Sequence, residues 1–378
     1  MFSIMRFFVF QYVILTLILS NVDFSQNRPA PPQQASDLYF ISVGIGEYTQ
    51  ETQDGQAHLR SAEISAKLVS RALIRQGARY GIQITSRLTE GSRGYSVTRQ
   101  DILDAVIDLK DRMRRDRASA PRVIIYIMGH GYGDPDFDLL FLQPGDVAIT
   151  DGDRSQMGVS HLVQKTVWNG DLLSAAVNFR THRSMEYMDK FFPSQIMPDL
   201  TQPLSGLQTA ARAAELQRLS QEAGRTIGFL PGGNPPVPFV VLFDNCFVQI
   251  QQNIVVDTSF FGSMIQGMWE EIISDGLVFY AAQPGLPQLD IAVPDWIDGQ
   301  RGERMGPLGA ALIKVLDDGN FSTFGEFQSQ MTARFALEHD PNWSPYARSN
   351  RLVADVARAQ LIPARPGRGE LDIRHGSN

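Results

Sequence analysis

The chain contains a single cysteine, Cys246, and one histidine set between two glycines, Gly129-His130-Gly131. One cysteine cannot close an intramolecular disulfide or build a thiolate zinc site, so Cys246 is an inert buried residue, an intermolecular link or a reactive thiol. Its setting points to the last. Cys246 follows the apolar run Phe239–Phe243 as Asp244-Asn245-Cys246, and His130 follows the apolar run Arg122–Met128. In an open parallel sheet, ligands bind beyond the carboxyl ends of the strands, where both residues would emerge. A thiol attacks as thiolate, and a neighbouring imidazole both lowers the thiol pKa and returns a proton to the leaving amine. The two residues lie 116 positions apart in sequence, so adjacent strands must bring them together. Glycines beside the imidazole suit a tight turn that a substrate backbone approaches closely. The backbone N–H groups of Gly131 and Cys246 are the expected oxyanion donors, each worth on the order of 3 kcal/mol of transition-state stabilisation in other enzymes.

Such positioning calls for buried strands alternating with helices, and the sequence supplies both. Leu38–Gly46 is a nearly continuous apolar run ended by glycines, as a strand buried on both faces requires. Ala62, Ala66, Val69 and Leu73 fall at helical spacing. A second strand is expected at Ile82–Leu88, and Thr98 with Asp101 three residues on marks a helix start before Ile102. Arg122–Met128, Phe239–Phe243 and Leu277–Ala282 read as the third, fourth and fifth strands, and Leu308–Leu316 as a further helix. The alternation predicts one α/β domain with a mainly parallel sheet flanked by helices. More than ninety residues separate the third and fourth strands. Residues 178–236 within them are expected to form an insertion or lid, because structureless loops of that length are uncommon.

Composition bounds the rest. The 378 residues are 43% hydrophobic and 20% charged, which excludes disordered, collagen-like and coiled-coil chains. A net charge of −7 has the wrong sign for a protein that tracks phosphate backbones, so nucleic acid is not an expected partner. Residues 1–25 place Arg6 before an apolar stretch of signal-peptide length, which predicts export to a periplasmic or secreted location. The same leader, if uncleaved, would be an N-terminal membrane anchor. Residues 26–36 are a Pro/Gln-rich linker.

The ordered motifs resemble those of the caspase and metacaspase superfamily of cysteine peptidases. They are Val43-Gly44-Ile45, Leu59-Arg60-Ser61-Ala62-Glu63, Arg87-Leu88-Thr89-Glu90-Gly91, Thr98–Ile102, Gly129-His130-Gly131, Phe141–Asp146, Asp244-Asn245-Cys246, Ala281–Gly285 and Gly309–Leu312. The resemblance implies a caspase-like three-layer sandwich over residues 37–345, with 346–378 as a C-terminal tail. It also implies a cysteine endopeptidase with Cys246 as nucleophile and His130 as general base and acid. Asp244 matches the acid that receives a substrate Arg or Lys in metacaspase-like members, which implies a basic P1 residue, and a carboxylate–guanidinium pair is chemically suited to that. The family's second acid in this pocket would fall near Ser65. The His-to-Cys spacing exceeds the roughly 50 residues of caspases, in keeping with the insertion.

Alternatives follow from departures. Phe247-Val248-Gln249 stand where members carry small residues and a glycine, which keeps open a catalytically silent caspase-fold binding or scaffold module. A flavodoxin-like ligand-binding domain is weaker, because Gly44-Ile45-Gly46-Glu47 does not continue as a phosphate-binding fingerprint. Asp244 has the further reading of a cap for the following helix or an acceptor for backbone N–H groups. Asp134, Asp136, Asp138, Asp151 and Asp153 would suit calcium by ligand type, but the rest of an EF-hand loop is missing and a solvated acidic loop is expected. His58, His161, His182, His339 and His375 form no metal spacing, so no metal or cofactor is expected and the partner is a peptide or protein substrate. Arg212, Arg218 and Arg225 in the insertion would be cleavable by an Arg-specific enzyme.

Overall fold

Four of the expected strands are apolar on both alternating sets of side chains, and such strands are stable only when both faces are covered. A computed structural model describes residues 37–48, 58–86, 96–118, 121–134, 139–147, 167–168, 239–246, 248–249, 276–282, 290–297, 302–319, 321, 324–338, 346–348 and 369–376. The expected leader, linker and insertion lie outside them. The strands β1 (Leu38–Gly44), β2 (Tyr80–Thr85), β3 (Arg122–Gly129), β7 (Phe239–Asn245) and β9 (Gly276–Tyr280) form the middle of one sheet. Its edges are β12 (Tyr346–Arg348) and β13 (Glu370–His375), in the order β12-β9-β7-β3-β1-β2-β13, while β10 (Ile291–Ala292) and β11 (Arg304–Met305) form a separate antiparallel pair. All neighbours pair in parallel except β12, which runs antiparallel to β9. The result is an α/β arrangement with a mostly parallel sheet.

Helices lie on both faces. Helix α1 (Arg60–Arg75), α3 (Pro307–Asp318) and α4 (Phe324–Glu338) bury their apolar sides against Phe40, Ile124, Tyr126, Val240 and Phe279. Phe327 of α4 meets Phe279 edge-on with ring centroids 6.1 Å apart. Full burial of side chains of this size contributes about 1.5–3 kcal/mol each. Helix α2 (Arg99–Arg115) covers the opposite face, the side from which Tyr39 donates to Asp116 just beyond the helix. Its start follows the sequence signal. Thr98 Oγ1 accepts from the Asp101 N–H at 3.1 Å, and Asp101 Oδ2 accepts from the Thr98 N–H at 2.8 Å.

The segment expected as a C-terminal tail supplies both edge strands. Parallel pairing of β13 with β2 runs from Glu370↔Tyr80 to His375↔Thr85. Charged pairs hold it: Arg374 reaches Asp108 of α2 at 2.7 Å, and Arg112 of α2 reaches Glu370 at 2.8 Å. Charged side chains on an outer strand also discourage edge-to-edge aggregation.

A second sheet stands at the carboxyl end of the first. Its strands β4 (Gly131–Asp134), β5 (Leu139–Leu142), β6 (Val167–Trp168) and β8 (Val248–Gln249) lie in the order β6-β5-β4-β8. Among the described residues no helix is long and apolar enough to cross a membrane. If β13 is integral to the sheet, ending the chain at Arg368 should lower the melting temperature by several degrees and uncover the β2 edge. Calorimetry on the full and shortened chains checks this, and an unchanged transition would make β13 an accessory strand.

Candidate active site

Strands β3 and β7 run side by side from Val123↔Phe239 to Gly129↔Asn245. Beyond them, β4 and β8 pair in parallel as Tyr132↔Val248 and Gly133↔Gln249. Both ladders keep the same offset of 116 positions, so the chains cross the gap between sheets without a slip. His130 and Cys246 follow β3 and β7 at matching positions of the two ladders, so the same register places them opposite each other in the gap. At ordinary strand spacing their backbones are about 4.8 Å apart. Both are half-buried.

Three contacts fix this junction. Asn245 donates through Nδ2 to the Gly129 carbonyl at 2.8 Å, tying the end of β7 to the end of β3. Its Oδ1 is a buried acceptor with no hydrogen-bond partner among the described residues. Gly131 lies so close to the Cys246 segment that a Cβ there would come within 2.5 Å of the Cys246 carbonyl oxygen. Glycine is therefore a steric requirement at that position. Gln143 N–H donates to the His130 carbonyl at 3.0 Å, which makes Gly131↔Leu142 a non-hydrogen-bonded pair of the β4–β5 ladder. The Gly131 N–H then points away from β5, to the side on which Cys246 lies.

Tyr48 is a neighbour that the sequence did not single out. Its hydroxyl accepts the His130 backbone N–H at 2.8 Å, and its ring lies 4.7 Å from the imidazole at 39°. Burial, with smaller effects of Tyr132 and Cys246, holds the phenol well above its ordinary pKa, so it stays neutral. The one available signal was its place just after the Gly44-Ile45-Gly46 turn of β1.

Asp244 sits on the opposite side of β7 from Asn245, 1% exposed. Its Oδ2 accepts from Tyr126 Oη at 2.7 Å and from the Gly309 N–H at 2.7 Å, and its Oδ1 accepts from the Leu308 N–H at 3.3 Å. Helix α3 begins after Gly306, which has no side chain to serve as an N-cap. Asp244 reaches across from β7 and does that work, satisfying the free N–H groups of the first turn. A Cβ at Gly306 would meet Asp244 Oδ2 at 2.2 Å, so the helix start is shaped around this carboxylate. Ser65 is buried and accepts the Gly306 N–H at 2.8 Å. Ser61 donates to Asp290, a half-buried second acid near this helix start. Asp244 thus satisfies backbone N–H groups, and the helix it caps begins more than sixty residues downstream.

Of the expected acidic loop, Asp134 ends β4, while Asp136, Asp138, Asp151 and Asp153 lie outside the described residues. Among the described residues no group of three His, Cys, Asp or Glu side chains could hold a metal ion. His58 pairs with Glu47 at 2.5 Å, and His375 closes β13. His161, His182 and His339 lie outside the described residues, as does Phe247.

Burial raises the Asp244 carboxyl to about 7, against its three hydrogen bonds, and burial also raises those of Asp290 and Glu63. An unfolded Asp releases its proton near pH 3.9, so between about pH 4 and 7 the folded chain binds more protons than the unfolded one. Stability should then fall as pH rises through that window. Melting temperatures between pH 5 and 8 check this: a decline in the wild type that is flatter in Asp244→Asn is expected, and equal slopes would refute it. Compared with known proteins, the sequence matches no protein-family model and no curated protein.

Proposed function

We propose that the protein is a cysteine endopeptidase of caspase-like architecture, with Cys246 as nucleophile and His130 as general base and acid. The observation that carries the reading is the common register of the β3–β7 and β4–β8 ladders, which sets the backbones of these two residues opposite each other. An imidazole beside the thiol takes its proton, the thiolate attacks the carbonyl carbon, and the imidazolium protonates the leaving amine. Water then attacks the acyl-enzyme with the same histidine acting as base. Gly131 and Cys246 are the proposed oxyanion donors, worth most where they are preorganised and water is excluded. The side of the ladder to which the Gly131 N–H points supports its part. A peptide also brings backbone N–H donors, which suits the unpartnered buried acceptor of Asn245.

A basic P1 residue is the specificity we propose, with Asp244 as its determinant. The carboxyl is enclosed by Tyr126 and the first turn of α3, and burial raises its pKa to about 7, so it would act on a P1 cation from beneath the surface and only in its deprotonated form. An exposed two-pronged partner for a guanidinium is a different geometry. Peptide or protein substrates, an exported location and the absence of any cofactor requirement belong to the same proposal.

One observation favours the alternative of a catalytically silent module. The next described element after Cys246 is the strand β8, and among the described residues no helix begins just after the thiol to lower its pKa. A fluorogenic panel with Arg, Lys, Asp and Asn at P1 separates the two readings. Cleavage after Arg or Lys that drops at least about a thousandfold in both Cys246→Ala and His130→Ala is expected. No cleavage by the wild type, or full activity in Cys246→Ala, would remove the peptidase reading.

A further inference from the structure

We propose that Tyr48 is a positioning residue for the dyad, holding His130 by its backbone and by its ring so that the imidazole faces Cys246. The inference rests on the Cys246–His130 reading and adds to it the group that orients the base. A histidine at a strand end has two side-chain torsions to fix, and a half-buried ring left to itself samples several rotamers. General-base catalysis needs the ring within hydrogen-bond reach of the thiol. Tyr48 restrains both parts of the residue. Its hydroxyl accepts the main-chain N–H at 2.8 Å, and its ring packs against the imidazole at 4.7 Å.

The tyrosine is itself well anchored. Beyond β1 the chain is pinned by the Ile45 N–H donating to the Met128 carbonyl at 2.9 Å. Ser86 Oγ accepts the N–H groups of Gly46 and Glu47 at 3.2 and 3.1 Å, and a bridge joins Glu47 to His58. Tyr48 is 5% exposed. Gly129 leaves the space through which the hydroxyl reaches: a Cβ there would stand 3.1 Å from it. The end of β1 therefore aims Tyr48 at the residue that follows β3, and a third strand end takes part in the site. Because the phenol stays neutral, its oxygen remains an acceptor for the His130 N–H and adds no charge to the dyad.

The rate of Cys246 alkylation by iodoacetamide, followed by intact mass from pH 5 to 9, tests this in the wild type, His130→Ala, Tyr48→Phe and Tyr48→Leu. An imidazole-paired thiolate reacts well below the ordinary thiol pKa of about 8.5. In the wild type a low-pH limb is expected, lost in His130→Ala. Tyr48→Phe keeps the ring and removes the acceptor, and should shift the midpoint upward by roughly one pH unit, or tenfold in rate at pH 6. Tyr48→Leu should shift it further, and Tyr48→Phe should melt within a few degrees of the wild type. Profiles of both Tyr48 variants that superimpose on the wild type, while His130→Ala differs, would overturn the positioning role and leave the dyad standing. If His130→Ala also superimposes on the wild type, the dyad itself fails and the role of Tyr48 with it.

Discussion

Two buried parallel strands that end level with each other set the geometry of this protein. Gly129 of β3 lies opposite Asn245 of β7, and three residues later the same two chains are paired again as Tyr132 opposite Val248. Parallel pairing of apolar strands buries both faces, and a shift of one residue would move every side chain to the opposite face, where it would meet the wrong packing partners. The residues between the two ladders inherit that precision. In the proposed dyad, that placement would spare a thiol and an imidazole much of the reorganisation they need before acting together, which is how proximity lowers a barrier.

The opposite side of the same strand end serves the helices. Asp244 caps α3 from a distance, and Gly306 and Gly309 lack the side chains that would crowd its carboxylate or the Tyr126 hydroxyl. Neighbouring residues at one strand end therefore have separate tasks: Asp244 fixes a helix, Asn245 ties two strands, and Cys246, just beyond β7, stands opposite His130 in register. Removing a buried hydrogen-bonded carboxylate leaves its donors unsatisfied, a penalty on the order of 1–3 kcal/mol. Asp244 is accordingly tied to stability whatever it contributes to substrate binding.

Legibility in the sequence follows the range of each interaction. Apolar runs announced β1, β3, β7 and β9 because burial on both faces writes itself into consecutive residues, and Thr98 with Asp101 announced a helix start because a cap spans three positions. His130 and Cys246 were legible as strand-end residues through their types and their place after such runs. Neighbouring strands and their register were not, because they are set by pairing across 116 positions. Tyr48 follows a short turn with no periodicity around it, and its meaning lies in contacts 82 residues away. Helix α3 hides its cap in the same way, since the acceptor stands on β7. Strand β13 alternates charged and apolar residues only over Glu370–His375, a length at which pattern alone cannot distinguish an edge strand from a polar tail.

The face-to-face placement of a reactive thiol and an imidazole is the claim on which everything functional depends. A short bifunctional reagent, 1,3-dibromoacetone, measures it directly, because its three-carbon bridge spans only neighbouring nucleophiles. Treatment of the full chain near pH 6, followed by proteolysis and mass spectrometry, should yield one linked pair of peptides joining Cys246 to His130. Alkylation of Cys246 without the link to His130, or no reaction at that pH, would contradict the account.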